Sequence, residues 1–281
     1  MDDDRALMAR IAAALERLAP PPFVADLSGA SAFRWSPHEA VVHPAASPKV
    51  VPLDLLLAAE SQKDALLANT RRFAAGQSAN NALLWGARGT GKSALIKAVH
   101  KAVLADAPNL KLVEAPPDTL ERIGVLIDAL RAQSAPVILF FDDLAFAGGE
   151  EALKALKPAL DGSLATGSGR VIVYATSNRR HLVARDAREN TPDDLMWTDT
   201  AEERLALADR FGLWLGFHAI DQADYLAMIR AYARRFGLSV QDEDLHREAL
   251  LWSRTRGARS GRTAWQFILD LAGRLGASTD L

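Results

Sequence analysis

Gly86-Ala87-Arg88-Gly89-Thr90-Gly91-Lys92-Ser93 spells G-x-x-x-x-G-K-[ST], a loop pattern whose residue types suit a chain of phosphates. Glycines let the backbone bend so that several N–H groups converge on one anion. Lys92 supplies a compact cation for β- and γ-phosphates, and the Ser93 hydroxyl is a ligand for Mg²⁺, which takes few protein groups and keeps most of its waters. Residues 81–85, Asn-Ala-Leu-Leu-Trp, form an apolar run of buried-strand type directly before the loop. Over residues 93–104, Leu95, Ile96, Val99 and Val103 recur at helical spacing. Strand, loop and helix in that order are the setting the pattern requires, with the helix N-terminus aimed at the phosphates. These flanks weigh against the blander alternative, a glycine-rich turn that binds nothing.

Composition narrows the class. A hydrophobic share of 49% over 281 residues allows a substantial core and excludes general disorder. The net charge of -2 argues against nucleic-acid binding by bulk charge, though a local basic patch remains open. With no cysteine, disulfides and thiolate metal sites are excluded, and a reducing compartment fits. The acidic opening Met1-Asp2-Asp3-Asp4 is the opposite of a basic signal peptide, and no apolar run approaches the ~20 residues needed to span a bilayer. The expectation is a cytoplasmic protein without a membrane partner.

Upstream of the loop, residues 2–19 place Leu7, Ile11, Leu15 and Leu18 on one helical face, ending at Pro20-Pro21-Pro22. Such a helix can pack on its own domain or dock a partner or neighbouring subunit. Residues 23–52 read as an irregular wrapping segment anchored by Phe33 and Trp35, and residues 53–75 return to a helical pattern. Downstream, strands are predicted at 110–113, 137–141, 171–176 and 212–217, with helices at 118–133 and from Gly149 to Leu160. Residues 185–200 are polar and read as a loop. Strands alternating with helices imply an α/β fold with a parallel five-stranded sheet. After residue 220 come three helical patterns, at 221–236, 242–256 and 263–275. The predicted division is an N-terminal helix and wrapping segment over 1–52, a nucleotide-binding core over 53–217 and a helical lid over 218–281.

Two strand ends add polar groups at the carboxyl edge of the sheet, where open α/β folds bind ligands. Val137-Ile138-Leu139-Phe140-Phe141 runs into Asp142-Asp143. Asp142 suits a Mg²⁺ held through water, and Asp143 suits orientation or deprotonation of an attacking water. Ser177-Asn178 ends the next strand. An Asn there can bond a γ-phosphate or the attacking water, or simply form a turn. The six histidines show no i, i+4 pairing, which argues against a zinc site.

Together these segments resemble the AAA+ ATPases, a family with a P-loop, a Walker B strand, a polar sensor 1 residue, an arginine finger and a sensor 2 arginine on a C-terminal lid. The resemblance places these on Gly86–Ser93, Asp142-Asp143, Asn178, Arg210 and Arg262, with Arg204 and Arg259 as the nearest competitors for the two arginines. It implies ATP and Mg²⁺ as cofactors, with Gly86, Ala87, Arg88, Gly89, Thr90, Gly91, Lys92 and Ser93 around the phosphates and Gln62 in the segment that packs on adenine. It also implies homo-oligomers that complete each site with a neighbour's arginine. Gln62-Lys63, Asn69-Thr70, Leu83–Gly86, Asp142-Asp143, residues 176–182 and Asp209–Leu213 resemble more closely the bacterial AAA+ family known as domain of unknown function 815, over roughly residues 30–275. The resemblance implies a functional relation to the replication-initiator and helicase-loader ATPases.

Most active AAA+ enzymes carry Asp-Glu at Walker B, whereas this chain carries Asp-Asp. The shorter acid reaches less far toward a water, so slow hydrolysis suited to a switch or assembly factor is expected. The alternatives are a nucleotide-gated DNA-binding protein, suggested by Arg179-Arg180 and by Arg254, Arg256, Arg259 and Arg262, and an ATP-binding scaffold without turnover. A threading unfoldase is disfavoured because residues 111–118 lack an aromatic pore loop.

Overall fold

The computed structural model describes residues 4–8, 10–11, 23–45, 50–116, 122–144, 156–157, 160, 170–178 and 209–279. Its centre is a seven-stranded sheet in the order β2-β1-β4-β5-β6-β3-β7. The strands are β1 (Ala32–Ser36), β2 (Val41–Pro44), β3 (Ala82–Gly86), β4 (Lys111–Ala115), β5 (Val137–Phe141), β6 (Val171–Ser177) and β7 (Leu213–Phe217). All pairings are parallel except β1 with β2.

The five predicted strands are β3 to β7; the sheet has two more. Residues 23–52, read as irregular, supply them. Phe33 and Trp35 are buried on either side of exposed Arg34, an alternation of period two that marks a half-covered strand. A turn through Ala40, at φ 51, returns the chain as β2. Prolines and alanines in this segment hide so short a signal.

The helices are α1 (Glu60–Ala74), α2 (Lys92–Val103), α3 (Ile123–Arg131), α4 (Gln222–Arg235), α5 (Asp242–Thr255) and α6 (Gly261–Leu275). The predicted helix start at Asp118, the helix near 149–160 (three scattered residues excepted), the 185–200 loop, Arg179-Arg180 and Arg204 lie outside the described residues. The N-terminal helix is described only at 4–8 and 10–11, where Leu7, Met8 and Ile11 are exposed.

Every residue of β5 is buried, as a parallel strand covered on both faces requires. Its side chains divide by parity. Val137, Leu139 and Phe141 join a core with α3, whereas Ile138 and Phe140 join a core with α1 and α2. Each buried side chain of this size contributes roughly 1.5–3 kcal/mol, so the sheet's carboxyl edge is a rigid platform for the polar residues that leave it.

A polar clamp fixes α1 to this platform. The Tyr174 hydroxyl of β6 bonds Thr70 Oγ1 at 2.8 Å and accepts from Asn69 Nδ2 at 3.2 Å, and burial pushes its pKa up to about 12. Asn69 also donates to the Asn80 carbonyl at 2.8 Å and accepts from the Asn80 N–H at 3.0 Å, pinning the chain before β3.

Helices α4, α5 and α6 pack around Tyr225, Ile229, Phe267 and Ile268. Asp221 caps α4 by accepting from the Asp224 N–H, and Ser260 caps α6 by accepting from the Thr263 N–H. The 3-10 turn Leu53–Leu55 joins this helical layer to the sheet layer. Leu55 enters the helical core and Leu56 the core of α1 and α2.

Candidate active site

The loop between β3 and α2 is built from left-handed glycines. Gly86, Gly89 and Gly91 have φ of 131°, 75° and 96°. A Cβ on Gly86 would stand 2.0 Å from the Phe217 carbonyl oxygen of β7, so only glycine lets the strands stay paired there. The Thr90 hydroxyl donates to the Ala87 carbonyl at 2.9 Å and closes the turn. Gly91 caps α2, whose first residue is Lys92, so free N–H groups and the helix dipole face the loop.

Lys92 is buried, and its ammonium donates to the carbonyls of Gly86 at 3.0 Å and Ala87 at 2.7 Å and to Asn178 Oδ1 at 3.0 Å. Burial lowers its pKa below the usual lysine value, against the opposing pull of Asp143 and Asp142. Asn178 continues the chain, donating through Nδ2 to Asp143 Oδ1 at 2.6 Å. A second chain starts at Ser93, whose hydroxyl donates to Asp142 Oδ1 at 2.5 Å. That oxygen also accepts from Thr176 Oγ1 at 2.8 Å.

Strand order explains the convergence. β6 lies between the loop strand β3 and the acid-bearing β5, so its end reaches both. The sequence assigns Thr176 no role at the site, yet it joins the two acids. Its hydroxyl donates to Asp142 and accepts the Asp143 N–H at 2.8 Å, and its carbonyl accepts the Leu144 N–H at 2.7 Å. Asp143 is thereby held at φ 55, a left-handed conformation that costs a non-glycine residue of order 1 kcal/mol or more. The only sequence signal is a hydroxyl two residues before Asn178 on one face of the strand.

Arg262 is carried to the loop by α6. Its backbone N–H donates to the Gly89 carbonyl at 3.3 Å, while its side chain is exposed. A Cβ on Gly261 would meet the Gly89 oxygen at 3.2 Å, and one on Gly89 would meet Ser260 Oγ at 2.9 Å. Glycine on both sides leaves room for this close approach of helix and loop, and at Gly89 the φ of 75° favours glycine as well. Between them and the 3-10 turn lies a narrow apolar cleft of about 20 Å³, lined by Leu56, Ala59, Gly91, Phe217, Met228 and Tyr232 among others.

Gln62 stands at the start of α1, where its Nε2 donates to the Gly216 carbonyl of β7 at 2.8 Å and its Oε1 accepts from Ser61. Arg210 is not brought to this site. It precedes β7, and the register Ala82↔Leu213 to Gly86↔Phe217 puts it at the edge where β3 begins. Five strand residues at ~3.3 Å each, about 16 Å, separate that edge from the loop. Arg259 donates to Gln222 Oε1 at 3.2 Å. Among the described residues no group of three or more His, Cys, Asp or Glu gathers as a metal cluster, and no helix is long and apolar enough to cross a membrane.

A family model described as "Protein of unknown function (DUF815)" matches residues 28–275. The chain belongs to the DUF815 family. A comparison with curated proteins finds no match. Among solved structures, this DUF815 chain resembles the Aeropyrum pernix ORC1 protein in complex with DNA, at TM-score 0.56 and 16% identity over 82% of this chain and 66% of that one. A Thermotoga maritima RuvB variant stands at 0.54 and 17%, over 82% and 67%. AMPPCP-bound DnaA from Aquifex aeolicus stands at 0.52 and 16%, over 81% and 65%. The DUF815 chain thus spans about two thirds of the length of each. These likenesses show the fold, which is that of the AAA+ P-loop ATPases.

Proposed function

We propose that this chain binds ATP·Mg²⁺ between the sheet and the α4–α6 layer and hydrolyses it slowly, acting as a nucleotide-dependent switch or assembly factor. The observation that carries this reading is the pair of hydrogen-bonded chains at the sheet edge, Lys92–Asn178–Asp143 and Ser93–Asp142–Thr176. On this reading the chain divides into a nucleotide-binding core ending at residue 217, to whose sheet the hairpin of β1 and β2 belongs, and a lid from residue 218.

Each residue then has a role. Backbone N–H groups of residues 86–93 cradle the phosphates, and the segment around Val51 to Gln62, which borders the narrow apolar cleft, packs on the adenine. Lys92 transfers its hydrogen bonds from loop carbonyls to phosphate oxygens. Ser93 and Asp142 would hold Mg²⁺, and their oxygens already converge as a hard donor pair. When bound, that cation supplies charge neutralisation on the β- and γ-phosphates. Asp143, aimed by Asn178, orients the attacking water. Gln62 fixes the start of α1 through Gly216. Arg262 rides on α6 toward the γ-phosphate. Arg210, at the far sheet edge, serves a neighbouring copy's site, a contribution of ~10³–10⁵ in rate in related NTPases. Homo-oligomers are therefore required for turnover. The lack of cysteine fits a cytoplasmic setting.

The test is ATP hydrolysis against protein concentration, beside Lys92→Ala, Asp143→Asn and Arg210→Ala. Turnover should be slow, rise more than linearly with protein, and vanish in all three variants. Mixing Arg210→Ala with Lys92→Ala subunits should restore part of it. Fluorescent-nucleotide binding that survives Lys92→Ala unchanged would overturn the site, and linear turnover per protein would overturn oligomer dependence.

A further inference from the structure

Charge is distributed unevenly over α5 and α6. From residue 249 to residue 269 the chain has no acidic residue, yet carries Arg254, Arg256, Arg259 and Arg262. All four side chains are exposed. Other arginines on the same helices are neutralised. Arg247 pairs with Asp244 at 2.6 Å, and Arg274 pairs with Glu248 at 2.8 Å and Asp270 at 3.0 Å. The four have no ion-pair partner among the described residues. Arg259 has only the neutral Gln222 amide, and the Arg256 guanidinium lies over the Trp252 ring at 4.9 Å.

Ordinary electrostatics disfavours this arrangement. Four like charges within nine residues repel, and no ion pair among the described residues offsets them. Helix-dipole compensation accounts for Arg254, in the last turn of α5. It does not account for Arg256 and Arg259, which lie beyond the end of α5 and before the start of α6; Arg262, in the first turn of α6, has the nucleotide phosphate on the reading above. An external polyanion removes the repulsion. Arginine in place of lysine at all four positions favours phosphate, which its planar fork meets with two bonds. Arg256 stacked on Trp252 adds a flat cationic surface of the kind that nucleic-acid bases stack against.

We propose that the turn joining α5 to α6, with Arg254, Arg256 and Arg259, is a nucleic-acid-binding surface that grips backbone phosphates, Arg262 being left to the nucleotide. This goes beyond nucleotide turnover and does not require it. Binding is local, since the whole chain has a net charge of -2. Three phosphate contacts on a duplex give a slope of log affinity against log salt of about -3.

The experiment is fluorescence anisotropy of a labelled 30-nucleotide strand and of its duplex with the full chain, from 50 to 200 mM KCl. The expected result is binding to at least one form with a slope of about -3. Arg254→Ser/Arg256→Ser should weaken it at least ~10-fold at 100 mM and flatten the slope by about 1.5. Arg254→Lys/Arg256→Lys should keep most of the salt-dependent affinity. Fluorescent-ATP binding, read in parallel, reports whether each variant is folded and stands apart from the turnover assay. No binding to either form overturns the proposal. So does affinity unchanged in the serine variant, or equal displacement by poly-glutamate of matched charge, which would make the surface a general polyanion site.

Discussion

Thr176→Val tests whether one hydroxyl sets the geometry of both acids. Valine keeps the shape of threonine, and the site is buried at 2% exposure, so packing is preserved. Two bonds disappear, the donation to Asp142 Oδ1 and the acceptance of the Asp143 N–H. Leaving that N–H unsatisfied costs about 1–3 kcal/mol, and losing a bond to a charged acceptor a similar amount. The turn has a cheaper way out, because Asp143 stands at φ 55 and can relax toward the ordinary region. Relaxation swings its carboxylate away from Asn178 Nδ2, now 2.6 Å distant. A misplacement near 1 Å costs ~10²-fold in a positioned reaction. The expected outcome is a kcat ~10–100-fold below wild type with KM and nucleotide affinity changed less than about threefold, since Lys92 and the loop are untouched. Thr176→Ser should restore most of the rate. Single-turnover hydrolysis with thermal melts of each variant is the assay. Wild-type kcat in a folded Thr176→Val protein would refute the reasoning, as would a loss of affinity equal to the loss of rate.

Gly86→Ala should lower stability by several kcal/mol or prevent folding, because a methyl there strikes the Phe217 carbonyl at 2.0 Å. Gly76→Ala, at φ 73 with open space around it, should cost only about 1 kcal/mol in urea denaturation, and equal costs at the two positions would sink the clash argument. His100 is buried against the Leu110 carbonyl at 3.3 Å, with its pKa lowered to about 4 by burial. The unfolded chain protonates it near pH 6.5, so its contribution is present above that pH and is lost as pH falls toward 4, about 3 kcal/mol in all. Urea midpoints at pH 7.5 and 4.5 should differ markedly less in His100→Gln than in wild type.

Much of the fold is legible in the sequence because its signals are local. The loop glycines, the apolar run of β5 and the helical spacing in α2 each arise from neighbours in sequence, and each strand from β3 to β7 can be named from its own residues. Asp142, Asp143 and Asn178 are legible for the same reason, since a polar residue directly after a buried strand has one place to go. What chain order does not reveal is adjacency. Whether β6 lies between β3 and β5 depends on how the whole sheet pairs, and that placement makes Thr176 the link between the acids. The hairpin of β1 and β2 has too short an alternation to read beside its prolines, and it is fixed by pairing with β4. Likewise Gly261 is an ordinary helix start in sequence, and only the docking of α6 on Gly89 shows how little room a side chain has there. Residue type and spacing determined which chemistry this chain carries. Tertiary packing decided which groups meet, because hydrogen bonds act over about 3 Å and the partners lie dozens of residues apart.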